Sequence, residues 1–251
     1  MLDRAGISAL PTDELEILDI QTASLSDEAV MFIGFQRTKQ ISRMARDEWF
    51  AGNVKPMSDE VRARRAEIVS GAIQEVWREY IPVREYLAEH GIHPELVADV
   101  GSGAGINDIF LAHDYSPSFI LIDIEKTKEQ YHGWAASGSG YASLSSAKAW
   151  LEENGASGNS IETINPVNDP DQLEGKLPDL VTSLYSCGFH YPIDEYLPLF
   201  LKVVSAGGAV ILDVRGRYWR RKPPALEQFC AAGKVTEIYH DERSVRIALR
   251  G

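Results

Sequence analysis

Three glycines in alternate positions, Gly101, Gly103 and Gly105, follow Asp99 in the segment LVADVGSGAGINDIFLAH, residues 96–113. Leu96–Val100 reads as a strand and Ile106–His113 as a helix, so the glycines fall in the turn between them. Such a turn lays bare backbone and helix-opening N–H groups against a ligand with no Cβ between. Asp123 ends the next apolar run, about twenty residues on, where a carboxylate accepts hydrogen bonds from the vicinal hydroxyls of a ribose. Together these residues indicate a nucleoside ligand. His190 follows the run Asp179–Leu184, and histidine is the residue type most often used as a general base. It reads either as that base or as a cap of the helix opening at Pro192, with Tyr191 and Asp194 as weaker alternatives for the base. A Cys187–His190 nucleophile is rejected, because no third orienting group is evident. No metal is expected, since no H-x-x-x-H or C-x-x-C spacing occurs.

The turn separates two cofactor classes. Dinucleotide enzymes use G-x-G-x-x-G, but position 106 is Ile. The motif D/E-x-G-x-G-x-G is complete at Asp99, Gly101, Gly103 and Gly105, and with it the chain resembles the class I, Rossmann-like S-adenosylmethionine-dependent methyltransferases. The resemblance extends through PDLVTSLYSCGFHYPIDEYL and the closing hairpin, covering roughly residues 94–251. It implies S-adenosyl-L-methionine as cofactor, with Asp99 and the Gly101–Ser102–Gly103–Ala104–Gly105 backbone at its methionine side. It also implies Asp123 at the ribose, Ile124 against the adenine, Asn165 at the adenine amino group and Leu184 beside the cofactor. Asn168 and Asp169 are alternatives to Asn165, because INPVNDPD lacks the acidic residue that the family often has there, and the connection after Asp123 is longer than usual. The chain looks similar to bacterial small-molecule methyltransferases, sugar O-methyltransferases included. O-methylation is preferred because a candidate base is present. N-methylation, a peptide acceptor, a nucleotide-dependent oxidoreductase and a non-catalytic binding subunit are the rival readings.

The elements that must position these residues follow from the pattern. The runs Leu96–Val100, Phe119–Ile124, Ser160–Ile164, Asp179–Leu184 and Ala209–Val214 alternate with helical stretches Ile106–His113, Ser143–Asn154 and Ile193–Val204. This predicts an α/β fold, a Rossmann-like and mostly parallel seven-stranded sheet with helices on both faces. Val235–His240 and Ser244–Leu249, joined by Asp241–Ser244, predict a C-terminal antiparallel hairpin. Ligands of such sheets lie beyond the carboxyl ends of the strands. Tyr185 and Phe189, and Arg215, Arg217, Tyr218 and Trp219 in the irregular stretch RGRYWRRKPP, are therefore placed at the acceptor, where arginines suit a carboxylate or phosphate. A solvated loop is the plainer reading of that stretch, and Gly133–Tyr141 reads as a flexible loop.

Residues 1–93 read as a helical extension or cap, and 94–251 as the catalytic domain. Thr12, Ser26 and Ser58 are read as helix N-caps, Pro82 is expected to kink or interrupt the helix spanning Val61–His90, and Gly91 to close it. The chain has 251 residues, enough for a substantial core, and a formal charge of -12 that disfavours nucleic acid as a partner. Two cysteines and no recognisable leader or spanning run predict a cytoplasmic protein away from membranes, and the resemblance implies a small-molecule acceptor. A homo-oligomer is left open.

Overall fold

The computed structural model describes residues 2–3, 18–125, 134–135, 140, 142–168 and 170–251. In chain order the elements are β1 (Leu2–Asp3), α1 (Asp27–Gln36), α2 (Arg43–Phe50), α3 (Lys55–Glu89), β2 (Leu96–Val100) and α4 (Ile106–Tyr115). Then come β3 (Ser118–Ile122), α5 (Leu144–Glu153), β4 (Ile161–Ile164), β5 (Leu180–Ser183) and α6 (Leu197–Ser205). The chain closes with β6 (Ala209–Arg215), α7 (Gly216–Arg221), α8 (Pro224–Ala231), β7 (Lys234–His240) and β8 (Ser244–Arg250).

The strands form one sheet in the order β1-β7-β8-β6-β5-β2-β3-β4, with β8 antiparallel to both its neighbours and the other pairings parallel. This is the Rossmann-like sheet with its closing antiparallel pair. It has eight strands rather than the seven expected, because Leu2–Asp3 adds in parallel at the edge beside Tyr239 and His240. β2 lies at the switch point, where chain connections leave to β3 on one side while β5 pairs on the other. A crevice opens at such a point, beyond the strand tips.

Helices cover both faces. One core joins α1, α2 and α3 to α4 and α5, through Phe32, Phe35, Trp77, Tyr80, Phe110 and Trp150; the other packs α6 and α8 on the opposite face. Residues of the N-terminal helices thus share a core with sheet residues such as Val97 and Ile211.

Local chemistry explains the helix ends. Ser26 accepts from Ala29 N at 3.1 Å, a side-chain cap that satisfies a helix-opening donor. Ser58 is not a cap. α3 begins three residues earlier at Lys55, with Pro56 in its first turn, where a fixed φ favours helix and the missing N–H costs nothing. α3 also runs through Pro82, because Ile81, Pro82 and Val83 are all buried and the packed face outweighs the lost hydrogen bond. Its one non-helical residue is Arg64, at φ -132° and ψ 22°. Gly91 closes the helix at φ 61°. RGRYWRRKPP is not irregular; Gly216–Arg221 is helix α7. α6 starts at Leu197, four residues after the expected Ile193. Thr12 lies outside the described residues, as does most of Gly133–Tyr141.

Candidate functional site

The glycine turn takes the shape its sequence demands. Gly101, Gly103 and Gly105 have φ of 78°, 58° and 73°, a left-handed region where a Cβ is strained. Space forbids a side chain as well. A Cβ on Gly101 would overlap Ser186 Oγ, and one on Gly103 would come 2.9 Å from Gln36 Oε1. The turn is anchored to the neighbouring strand, since Gly101 N and Ser102 N donate to Ile122 O at 2.7 and 3.2 Å. Gly103 N donates to Asp123 Oδ2 at 2.6 Å, which ties the ribose-candidate carboxylate directly to the turn.

Above the turn lies a cavity of about 360 Å³, within the range of small-ligand sites. Of the expected cofactor residues, Asp99, Gly101, Ser102, Gly103, Asp123, Ile124 and Leu184 line it. Gly105 stands just outside as the N-cap of α4. Asn165 is not in the wall; its side-chain oxygen accepts from Val167 N at 3.1 Å and shapes its own turn. Neither is Asn168, and Asp169 lies outside the described residues.

Two carboxyls give the floor its electrostatics. Asp99 is buried and accepts from Thr182 Oγ1 at 2.7 Å. Burial pushes it up to about 6, against the lowering effect of its hydrogen bonds from Thr182 and Asp108. Asp108, fully buried beside it, is raised well above the ordinary carboxylate value by burial and by the Asp99 charge. Burial also pushes Asp123 up to about 7, with Asp99 and Glu125 adding repulsion and the Gly103 and Ile124 N–H groups opposing it. Burial is thus the main cause that raises both Asp99 and Asp123.

On the acceptor side, Tyr185, Phe189, His190 and Tyr191 line the cavity. Tyr185 adopts φ 53°, held there by its N–H to Asp213 Oδ2 at 3.1 Å, and its ring meets Phe189 edge-on at 5.1 Å. Burial raises the phenols of Tyr185 and Tyr191 above their ordinary value, which makes both poor bases at neutral pH. Cys187 is fully buried and its thiol is raised by burial, so it is no nucleophile. His190 is half-buried, with its ring 5.0 Å from that of Phe189.

Asp194, Arg215, Arg217, Tyr218 and Trp219 are not in the cavity wall. For Arg217, Tyr218 and Trp219 the physical reason is helix α7, which turns that stretch away from the strand tip, while Asp194 is exposed in the turn before α6. Tyr218 is buried and its hydroxyl accepts from Ile193 N at 3.3 Å, while Arg217 lies over Trp134 and Lys222 over Trp219. Arg215 stays nearest, its guanidinium 5.4 Å from the Phe189 ring.

Their place is taken by residues the sequence reading missed. Gln36, Arg37, Glu75, Arg78 and Glu79 come from α1, its C-terminal end and α3, and Tyr239, Asp241 and Arg243 from the β7–β8 end. Arg37 Nη1 bonds both oxygens of Glu79, at 2.8 and 2.7 Å. Arg246, with no exposed side-chain surface, grips Asp213 through Nε at 2.9 Å and Nη2 at 2.7 Å, and its Nη1 donates to the Glu79 carbonyl. One signal was available. Glu79 interrupts the buried face Ile73, Val76, Trp77, Tyr80, and a buried acid requires a partner.

No protein-family model matches the chain, and no curated protein does. Solved structures do resemble it at low identity. An O-methyltransferase family protein from Burkholderia thailandensis is 14% identical with a TM-score of 0.45, over 75% of this chain and 61% of that one. Monomeric WbdD is 18% identical with a TM-score of 0.44, over 72% of this chain and 41% of that one. Cofactor-bound Rv0187 from MTB is 13% identical with a TM-score of 0.45, over 96% of this chain and 97% of that one. The chain thus spans about three fifths and two fifths of the lengths of the first two.

Proposed function

We propose that this protein is an S-adenosylmethionine-dependent methyltransferase acting on a small acceptor, most simply at a hydroxyl. The observation that carries this reading is a single cavity bounded by a side-chain-free turn, by the Asp123 carboxylate hydrogen-bonded to that turn, and by His190. The residues present fit the cofactor. Asp123 needs donors and a ribose diol offers two, Ile124 offers an apolar flank to adenine, and the Gly101–Gly103 backbone leaves room for the sulfur-bearing chain.

When bound, the cofactor supplies a methyl group on a cationic sulfur, open to displacement by a nucleophile in line with it. The chain's part is alignment and proton removal. Tyr185 and Phe189 bound the acceptor's space, with alignment contributing on the order of 7–11 kcal/mol in well-oriented systems. His190 takes the hydroxyl proton, an assistance of about 10²–10⁴-fold. Arg37, already neutralised by Glu79, is a hydrogen-bonding wall rather than an open charge.

Calorimetric titration with S-adenosylhomocysteine and, separately, NAD tests the cofactor. Binding of the former alone is expected, and preference for NAD would refute the reading. An assay for released S-adenosylhomocysteine over sugars, organic acids and amines tests the acceptor class, and turnover confined to amines would remove the hydroxyl assignment.

A further inference from the structure

Buried polar atoms in folded proteins almost always find partners, so those that do not mark places prepared for something else. Among the described residues, Ser102 Oγ, both amide atoms of Asn107, and Arg78 Nε are buried without a hydrogen-bond partner, and all three residues line the same cavity. Asn107 is 7% exposed, on the first turn of α4, directly after the glycine turn. Arg78 arrives from α3 in the N-terminal segment. Of the other cations of this wall, Arg37 pairs with Glu79, Lys39 pairs with Glu75 at 3.1 Å, and Arg243 lies over the Phe189 ring at 5.6 Å. Arg78 forms no ion pair with a described carboxylate.

These groups form a complementary set. Ser102 O–H, Asn107 Nδ2 and the Arg78 guanidinium are donors suited to a carboxylate, while Asn107 Oδ1 and the Asp99 carboxylate are acceptors suited to an ammonium. A carboxylate and an ammonium on one carbon are the amino-acid end of the proposed cofactor. We infer that Arg78, Asn107 and Ser102 hold that end, so that the N-terminal helix α3 completes the cofactor site rather than only covering it. The inference rests on the cofactor reading above and adds Arg78 and Asn107, which no sequence motif assigned. Arg78 meets the carboxylate as a charge, and Asn107 bridges the two groups through its amide.

Methylthioadenosine keeps the adenosine and the thioether of S-adenosylhomocysteine but lacks the amino-acid end, which makes the pair a direct probe. Calorimetry on the full chain is expected to show the wild type binding S-adenosylhomocysteine far more tightly than methylthioadenosine. Arg78→Met keeps most of the apolar stem and should weaken S-adenosylhomocysteine by about 10- to 100-fold, the worth of a charge-assisted hydrogen bond, while leaving methylthioadenosine within about twofold. Asn107→Ala should act in the same sense, and Arg78→Lys should recover part of the loss. Unchanged methylthioadenosine binding certifies that each variant is folded. If the variants bind S-adenosylhomocysteine as the wild type does, or lose both ligands equally, water or packing accounts for these atoms and the inference fails. A wild type that binds both ligands alike overturns the inference alone, whereas one that binds neither overturns the cofactor reading with it.

Discussion

Asp123→Asn should make the unliganded protein more stable and the binding site worse. The folded carboxyl is pushed up to about 7, chiefly by burial and then by the charge of Asp99. An unperturbed aspartate titrates at about 3.9. A carboxyl with a raised folded value holds its proton more tightly when folded. It favours the fold fully below about pH 3.9, and this stability is lost as pH rises to about 7, beyond which the loss is constant. That gap sets an upper bound of about 4 kcal/mol. Water entering the open cavity screens part of it, so about 2 kcal/mol is expected. Asparagine carries no charge at any pH and still offers Gly103 N an acceptor in place of Asp123 Oδ2. Thermal unfolding at pH 8 should therefore place the variant about 4–8 °C above the wild type, with a smaller gain at pH 5. The same substitution should weaken S-adenosylhomocysteine by about 10- to 100-fold, since ribose hydroxyls donate better to a carboxylate than to an amide. A variant less stable than the wild type at pH 8, or a gain independent of pH, would refute the assignment of this charge as a cost of the site.

Gly101→Ala should abolish S-adenosylhomocysteine binding and cost about 1–3 kcal/mol, because φ is 78° and the new Cβ meets Ser186 Oγ. Adding Ser186→Gly should recover part of the stability in urea unfolding, and no recovery would show that the contact is not the cause. His190→Ala should lower turnover of a hydroxyl acceptor by about 10²–10⁴-fold with S-adenosylhomocysteine affinity unchanged, and near-normal turnover would leave His190 a structural residue. Arg246→Met should destabilise the fold by about 3–5 kcal/mol in urea unfolding by stranding the buried Asp213 carboxylate; a loss below about 1 kcal/mol would contradict that account. Wild-type affinity for S-adenosylhomocysteine should rise with pH as Asp99, at about 6, and Asp123, at about 7, lose their protons, and a flat profile from pH 5 to 8 would oppose both roles.

The parts of the site legible in the sequence are those set by neighbours along the chain. Gly101, Gly103 and Gly105 need φ above zero, and only glycine supplies it freely, so the turn announces itself. Asp123 is readable because the end of one strand is a fixed place next to the turn. Pairings over long sequence distance are not encoded this way. Arg246 meets Asp213 and the Glu79 carbonyl across 33 and 167 residues, and neither partner is visible from Arg246's own surroundings. The stretch RGRYWRRKPP misled for a related reason. Its charge drew attention to the cavity, but Gly216–Arg221 closes into helix α7 and Tyr218 turns into the core. Pro82 misled because local chemistry predicts a break that Ile81 and Val83, both buried, override.

The buried charges give the N-terminal segment its position. Asp213 on β6 is bonded by Arg246 on β8, Arg246 donates to the carbonyl of Glu79 on α3, and the Glu79 carboxylate is bonded by Arg37 at the end of α1. The same Asp213 accepts from Tyr185 N, and so fixes the one residue of the acceptor wall with left-handed backbone. Buried ion pairs add little net stability compared with apolar packing, but they tolerate few alternative arrangements. An apolar contact at these places would let α3 slide by a fraction of a turn at small cost. The link from Arg246 to the Glu79 carbonyl does not, since a shift of α3 that breaks it leaves a buried N–H and a buried carbonyl without partners. α3 also carries Arg78 and Glu75 to the cavity wall. The register of that helix against the sheet therefore sets where Arg78 and Glu75 stand in the cavity wall, and the Asp213–Arg246–Glu79–Arg37 chain holds it.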